Sequence, residues 1–198
     1  MGETMARSAH VERKTKETSI SISWDLDGTG EYRITTGIPF FDHMLDLFAK
    51  HGLFDLEVSA KGDIDVDNHH TVEDVGIAMG KALRDALGTT EGIKRYGSAL
   101  VPMDEAICMT AIDVSGRSAF VFKGKLQGRT GGFDVDVVKE FLQAFSNEAK
   151  VTLHVNILYG SNLHHRVEAV FKSFGRALKA AVEKDDRIKG VLSTKGVL

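Results

Sequence analysis

One cysteine, Cys108, occurs in the 198 residues of this chain. A lone thiol makes no internal disulfide, and its setting in "EAICMTAI" marks a small buried side chain rather than a nucleophile. Redox chemistry and a structural thiolate zinc site are thereby set aside. A long apolar run is missing too: nothing approaches the roughly 18–20 apolar residues that a membrane span needs. The opening stretch "MGETMARSAHVERKTKETS" carries no apolar secretory core, so the cytoplasm is the expected compartment. Charge of one sign is also absent. The formal net charge is -3 with both signs mixed, which gives no global attraction to nucleic acid or to an anionic membrane. Hydrophobic residues make up 42% of the chain, enough for a sizeable core in one domain or in two small ones packed as a unit.

What the chain does have is a repeat. "SISISWDL" alternates polar and apolar residues, "DGTG" turns, and "EYRITT" follows as the second arm of an expected hairpin. A helix is expected in "FFDHMLDLFAKHG", then a strand in "LFDLEVSA" and a second helix over 69–87. Beyond the "GIKRYGS" loop the pattern recurs: a hairpin from 104–113 and 117–125, helix 134–149, strand 151–158 and helix 164–182. At an offset of 97, Leu45, Phe48, Leu56 and Val58 fall on Leu142, Phe145, Leu153 and Val155. At an offset of 95, "HHTVEDVGIAMGKALRDAL" falls on "HHRVEAVFKSFGRALKAAV" with nine of nineteen positions identical. The expected fold is therefore α+β, a tandem duplication of a ββαβα half-domain with helices covering the sheets. Its halves are 1–92 and 93–198, packed as one unit.

The duplicated motif carries the chemistry. One His-His pair on a helix is ordinarily a cap or a surface feature, but two copies of HHxVE in otherwise diverged helices point to metal binding. Residues i and i+4 share a helix face while i and i+1 diverge by about 100°. His69 thus pairs with Glu73, and His164 with Glu168. His70 and His165 point elsewhere, most economically to the metal held by the other half. His43, on the preceding helix, is placed to complete a coordination sphere. Imidazole with carboxylate suits Mn, Fe, Co, Ni or Zn.

Together "FFDHML", "DNHHTVED", "PMDEA", "LYGSNLHHRVEA" and "STKGVL" resemble the imidazoleglycerol-phosphate dehydratase family, in order, from about Glu12 to the end. The resemblance implies a ribosomal protein S5 domain 2-like fold and a lyase of histidine biosynthesis. Such an enzyme converts imidazole glycerol phosphate to imidazole acetol phosphate plus water. The resemblance further implies two Mn2+ ions per active site and a closed, cage-like homo-oligomer of roughly 24 subunits with shared active sites. The carbinol proton is scarcely acidic, so metal binding to both ring nitrogens, an imidazolate and a diazafulvene-like intermediate offer a lower route. By the same resemblance Glu17 is the first candidate for the base, with His51 and Asp104 behind it. Arg95, Arg117, Lys172, Ser193 and Lys195 match substrate-contacting positions, and the "STKG" cluster has the makings of an anion nest.

The chain departs from that pattern at one place. Glu140 stands as the repeat counterpart of His43, where many members of the family carry histidine. It either ligates as a carboxylate or leaves the place to water or another residue. His154 aligns with Glu57 and is expected to be a strand residue. "WDLDGTG" resembles a phosphatase DxDGT motif, but that motif ends a fully buried strand and "SISISW" has one wet face, so Asp25 and Asp27 are expected to serve the hairpin. Without the resemblance, a dinuclear metallohydrolase or a non-catalytic metal-binding protein would stand as the alternatives.

Overall fold

The computed structural model describes residues 6–196. The first half runs β1 (Ser8–Lys14), β2 (Thr18–Asp25), β3 (Tyr32–Thr35), α1 (Pro39–Gly52), β4 (Asp55–Gly62) and α2 (His69–Leu87). The second runs β5 (Tyr96–Met103), β6 (Ala106–Asp113), β7 (Ala119–Lys123), a small ribbon of β8 (Arg129–Thr130) and β9 (Phe133–Asp134), α3 (Val137–Ala149), β10 (Thr152–Tyr159) and α4 (Leu163–Val182). The four-stranded sheets have matching orders, β1-β2-β4-β3 and β5-β6-β10-β7. The tandem duplication is there, with one more leading strand in each half than the ββαβα expectation, so each repeat is βββαβα.

The extra strands correct the expected hairpins. β2 pairs antiparallel with β1 and β4, while β3 lies parallel to β4, and β7 likewise lies parallel to β10. Parallel neighbours need a crossover, and α1 and α3 supply it. The true hairpins are β1–β2 and β5–β6, the latter closing through Asp104 and Glu105, with Met103 opposite Ala106. Asp25 and Asp27 do serve the turn after β2. Asp25 accepts the Asp27 amide at 2.8 Å, and Asp27 pairs with the nearly buried Arg7, which also donates to the Val182 carbonyl at the end of α4.

The helices of the two halves pack on each other. α1 lies against α4 and α2 against α3, while α2 covers β1 and β2, and α4 covers β5 and β6. Apolar positions at helical spacing make this possible: Phe41, Met44, Leu45 and Phe48 of α1 are fully buried, as are Phe141, Leu142 and Phe145 of α3. Trp24 of β2 meets Phe48, Phe54 and Phe145, so one aromatic cluster spans both halves. Cys108 is 0% exposed, and burial pushes its thiol up to about 11, in keeping with a packing role.

Repeat-related glycines set the helix spacing. A Cβ on Gly80 would lie 2.6 Å from the Phe145 carbonyl oxygen, and one on Gly175 would lie 2.4 Å from that of Phe48. The obstacle is helix backbone in both cases, so no side-chain rotation relieves it. Gly175→Ala should destabilise the fold by about 1–3 kcal/mol through overpacking, read as a lower urea midpoint with unchanged slope. An unchanged midpoint would mean that the α1–α4 contact is looser than described.

Candidate active site

Packing α1 on α4 brings His43 of the first half to His164 and Glu168 of the second. One ligand atom from each lies within 4.8 Å of the other two, and this is the one such three-residue group found among the described residues. Glu168 Oε1 is 2.8 Å from His164 Nε2 and 3.7 Å from His43 Nε2, while its Oε2 accepts a 2.5 Å hydrogen bond from Lys172. Burial pushes the Glu168 carboxyl up, but Lys172 and His164 outweigh it and leave it below the ordinary range. An ionised carboxylate and two imidazoles converging on one point is a donor set that fits a borderline divalent cation.

The repeat counterpart is more open. His69 Nε2 lies 3.6 Å from Glu73 Oε2, and His69 and Glu140 line one cavity of about 540 Å³ together with Asp134 and Asp136. The Glu73 side chain is 44% exposed against 9% for Glu168. Sequence explains part of this: the position four residues after Glu73 is Ile77, where the position four after Glu168 is Lys172. Glu73 therefore has an apolar side chain where Glu168 has its ammonium partner.

His70 and His165 diverge from their neighbours as helix geometry demands, but each meets carboxylates of its own half. His70 Nδ1 is 3.1 Å from Asp63 and 3.7 Å from Glu17 in the β1–β2 turn. His165 Nδ1 is 2.6 Å from Glu105 Oε2, and its Nε2 is 3.6 Å from Asp104. The hydrogen bond to Glu105 raises the His165 imidazole above its ordinary value and drives the Glu105 carboxyl down to about 2. His70 is raised in the same way, foremost by Asp63 and then by Glu17. In this structure both imidazoles face carboxylates of their own half rather than the His/Glu group of the other half. The 100° divergence sends them over the ends of their own sheets, toward the hairpin turns.

His51, in the last turn of α1, has Lys172, Arg176 and Glu168 as charged neighbours. Desolvation, then Lys172 and Arg176, hold its imidazole below the ordinary value despite Glu168. His154 sits exposed on β10 between the buried Leu153 and Val155, on the sheet face turned away from the helices.

The basic residues fall into two places. Arg95, Arg117, Ser193 and Lys195 line one cavity of about 690 Å³, joined by Arg187 and Lys189, which sequence reading passed over although "DDRIKG" ends only two residues before the "STKG" tail. Arg95 is partly committed there: it pairs with Asp113 at 2.7 Å and donates to the Leu192 carbonyl, holding the C-terminal segment in place. Lys172 is elsewhere. Its Nζ lies beside Met103, at the far end of β5 from Arg95, and it serves Glu168.

Two repeat-related His/Glu groups at the starts of α2 and α4, the second joined by His43 of α1, and a separate cavity lined by basic side chains define a tandem-repeat α+β protein with a candidate cation site. A family model described as imidazoleglycerol-phosphate dehydratase matches residues 36–178. The proteins of that name from Acetivibrio thermocellus and Geobacter sulfurreducens are each 56% identical to this chain over 195 residues, covering 98% of it and all of their own length. The crystal structure of the Pyrococcus furiosus protein aligns with a TM-score of 0.83 at 36% identity, over 95% of this chain and 100% of that one. The Staphylococcus aureus structure gives 0.79 at 35% identity, over 89% and 100%. The chain belongs to the imidazoleglycerol-phosphate dehydratase family.

Glu140 is the departure that geometry makes testable. It is exposed and shares the His69 cavity, so Glu140→Ala should weaken one of two metal sites selectively, whereas Glu140→His should keep both. Metal counting by native mass spectrometry, with anomalous scattering to place the ions, reads the difference. Two ions held at unchanged affinity in the alanine variant would remove Glu140 from the ligand set.

Proposed function

We propose that this chain dehydrates imidazole glycerol phosphate to imidazole acetol phosphate in histidine biosynthesis, that it needs divalent metal, manganese by family resemblance, and that each active site is completed between copies of the chain. The convergence of His43, His164 and Glu168 is the observation that carries the reading, since three donors suited to a divalent cation meet where α1 packs on the second copy of the duplicated motif. His69, Glu73 and Glu140 would form the related site, with His70 and His165 offering their outward faces to ions bound by a neighbouring copy. Bound metal would supply Lewis-acid contact to the imidazole nitrogens, which makes the ring able to expel the adjacent hydroxyl.

The remaining steps belong to the chain. Glu17 takes the proton from the carbinol carbon and passes it to the expelled hydroxide, which leaves as water, and the resulting enol becomes the ketone. Asp104, in the equivalent hairpin turn, and His51, held neutral, are further groups for proton transfer. The Arg117 guanidinium, Lys195 and Ser193 hold the phosphate, and Arg95 fixes the segment that carries two of them.

Distance supports the shared site. β5 has eight residues between the Arg95 cavity at one end and Met103 with Lys172 at the other. At ~3.3 Å per residue that is roughly 25 Å, far longer than one glycerol phosphate. A phosphate held by one copy must therefore meet metal held by another, which supports a homo-oligomer. Nothing in the charge balance calls for nucleic acid, and no helix among the described residues is long and apolar enough to cross a membrane.

Manganese-loaded protein incubated with imidazole glycerol phosphate should yield the ketone product by NMR. Chelation should abolish turnover and weaken assembly, and readded manganese should restore both. Absence of product with both ions bound would overturn the reading. Arg117→Ala or Lys195→Ala should cost about 1.5–3 kcal/mol in kcat/KM with metal content unchanged, as expected for loss of a charge-assisted bond. Unaltered kinetics in both would return these residues to solvent.

A further inference from the structure

We infer that Glu105 is a positioning residue of the metal site, fixing His165 in the tautomer that leaves Nε2 open to an ion and tying that imidazole to the start of α4. The inference rests on the metal reading above and deepens it. A carboxylate only accepts hydrogen bonds, so the 2.6 Å contact of Glu105 Oε2 with His165 Nδ1 requires the proton on Nδ1. In the neutral imidazole Nε2 then carries the free lone pair. Partner groups of this kind orient metal-binding imidazoles and raise their basicity.

The other oxygen of the same carboxylate is also fully used. Oε1 accepts from the Ser161 amide at 3.0 Å, the Ser161 hydroxyl at 3.1 Å and the Asn162 amide at 2.6 Å. Asn162 is the N-cap of α4, and its side chain accepts the His165 amide at 3.3 Å. Glu105 thus grips both the imidazole and the backbone that carries it. The fit is close: a Cβ on Gly160 would lie 2.6 Å from that of Ala106, so the loop before α4 is pressed onto the hairpin. Asp104 takes a positive φ of 46° in the two-residue turn, a conformation non-glycine residues adopt at a cost, and the next residue is aimed at α4. In the first half the corresponding imidazole is held differently, by Asp63 at the end of the β4 segment.

Glutamine is the informative substitution. Its single carbonyl can serve His165 or the Ser161–Asn162 donors, and its NH2 then opposes a donor on the other side. Glu105→Gln should weaken one class of manganese site by about 10–100-fold in calorimetric titration of metal-free full-length protein. In a His165→Asn background the same change should add nothing, because the effect passes through that imidazole. A purely structural Glu105 would lower the melting temperature of the metal-free protein and leave manganese affinity alone, which overturns the inference. Additive losses in the double variant would also overturn it. Should Glu105→Gln not fold, 15N spectra of the wild-type histidines at a pH where the imidazole is neutral, with His165 assigned by its absence in His165→Asn, decide the matter: a proton on Nε2 with Nδ1 bare refutes the proposal. Wild-type protein that binds no manganese would instead defeat the metal reading itself.

Discussion

The contact between α1 and α4 is the constraint from which the site follows. Those helices come from opposite halves of the repeat, and they approach until Gly175 has room for nothing but hydrogen against the Phe48 carbonyl. That approach sets His43, one and a half turns before Phe48, beside Glu168, about two turns before Gly175. Neither half could assemble the three-residue group alone. The same argument holds for α2 and α3, where Gly80 faces the Phe145 carbonyl and where His69 and Glu140 share a cavity. Packing and ligand geometry are therefore one design: a helix spacing wider by a methyl group moves the donors as well as the core.

Pseudo-symmetry in the backbone is not symmetry in the chemistry. Lys172 stands behind Glu168, while Ile77 stands behind Glu73; His43 faces one group, while Glu140 faces the other. One locus carries a buried carboxylate already neutralised by an ammonium, with two imidazoles. Its counterpart carries an exposed carboxylate, one imidazole and a second acid. The second locus has the more negative donor set and the first the more ordered one, so duplication has supplied two positions whose affinities can differ.

The helices were legible in the sequence because their apolar periodicity survives duplication, and the His/Glu motif because it sits on them. The strands β1 and β5 were not. "SAHVERK" has a single fully buried apolar residue, Val11, and "YGSALVPM" mixes glycine and proline into an edge strand, so neither shows a clear alternation. Missing them turned β3 and β7 into hairpin partners, when each is the parallel end of a crossover. Glu105 was hidden for a related reason: its role depends on a tight turn between β5 and β6, and "DE" lacks the Asn-Gly or Gly signal by which such turns are read. Lys172 was placed with the phosphate by resemblance, whereas only the fold reveals that Arg95 and Lys172 stand at opposite ends of one strand.

The two hairpin turns show how the same mechanical problem has been solved twice, with consequences for the acids on them. Each turn must be fastened to the start of the helix that bears the histidines. In the first half the fastening acid is on the helix: Asp74 takes two bonds from Arg13, at 3.0 and 2.8 Å, and one from Thr18 at 2.5 Å. In the second half position 74 has become Ala169, and the fastening acid, Glu105, is on the turn. A carboxylate holding four donors is a poor proton acceptor, since each bond stabilises its charge. Glu17 is relieved of that duty by Asp74. Among the described residues its carboxylate shows no hydrogen bond, only the 3.7 Å approach to His70, and its side chain is 56% exposed. Of these two acids, Glu105 is committed to holding His165 and the start of α4, whereas Glu17, proposed above as the base, keeps a carboxylate that those duties do not occupy.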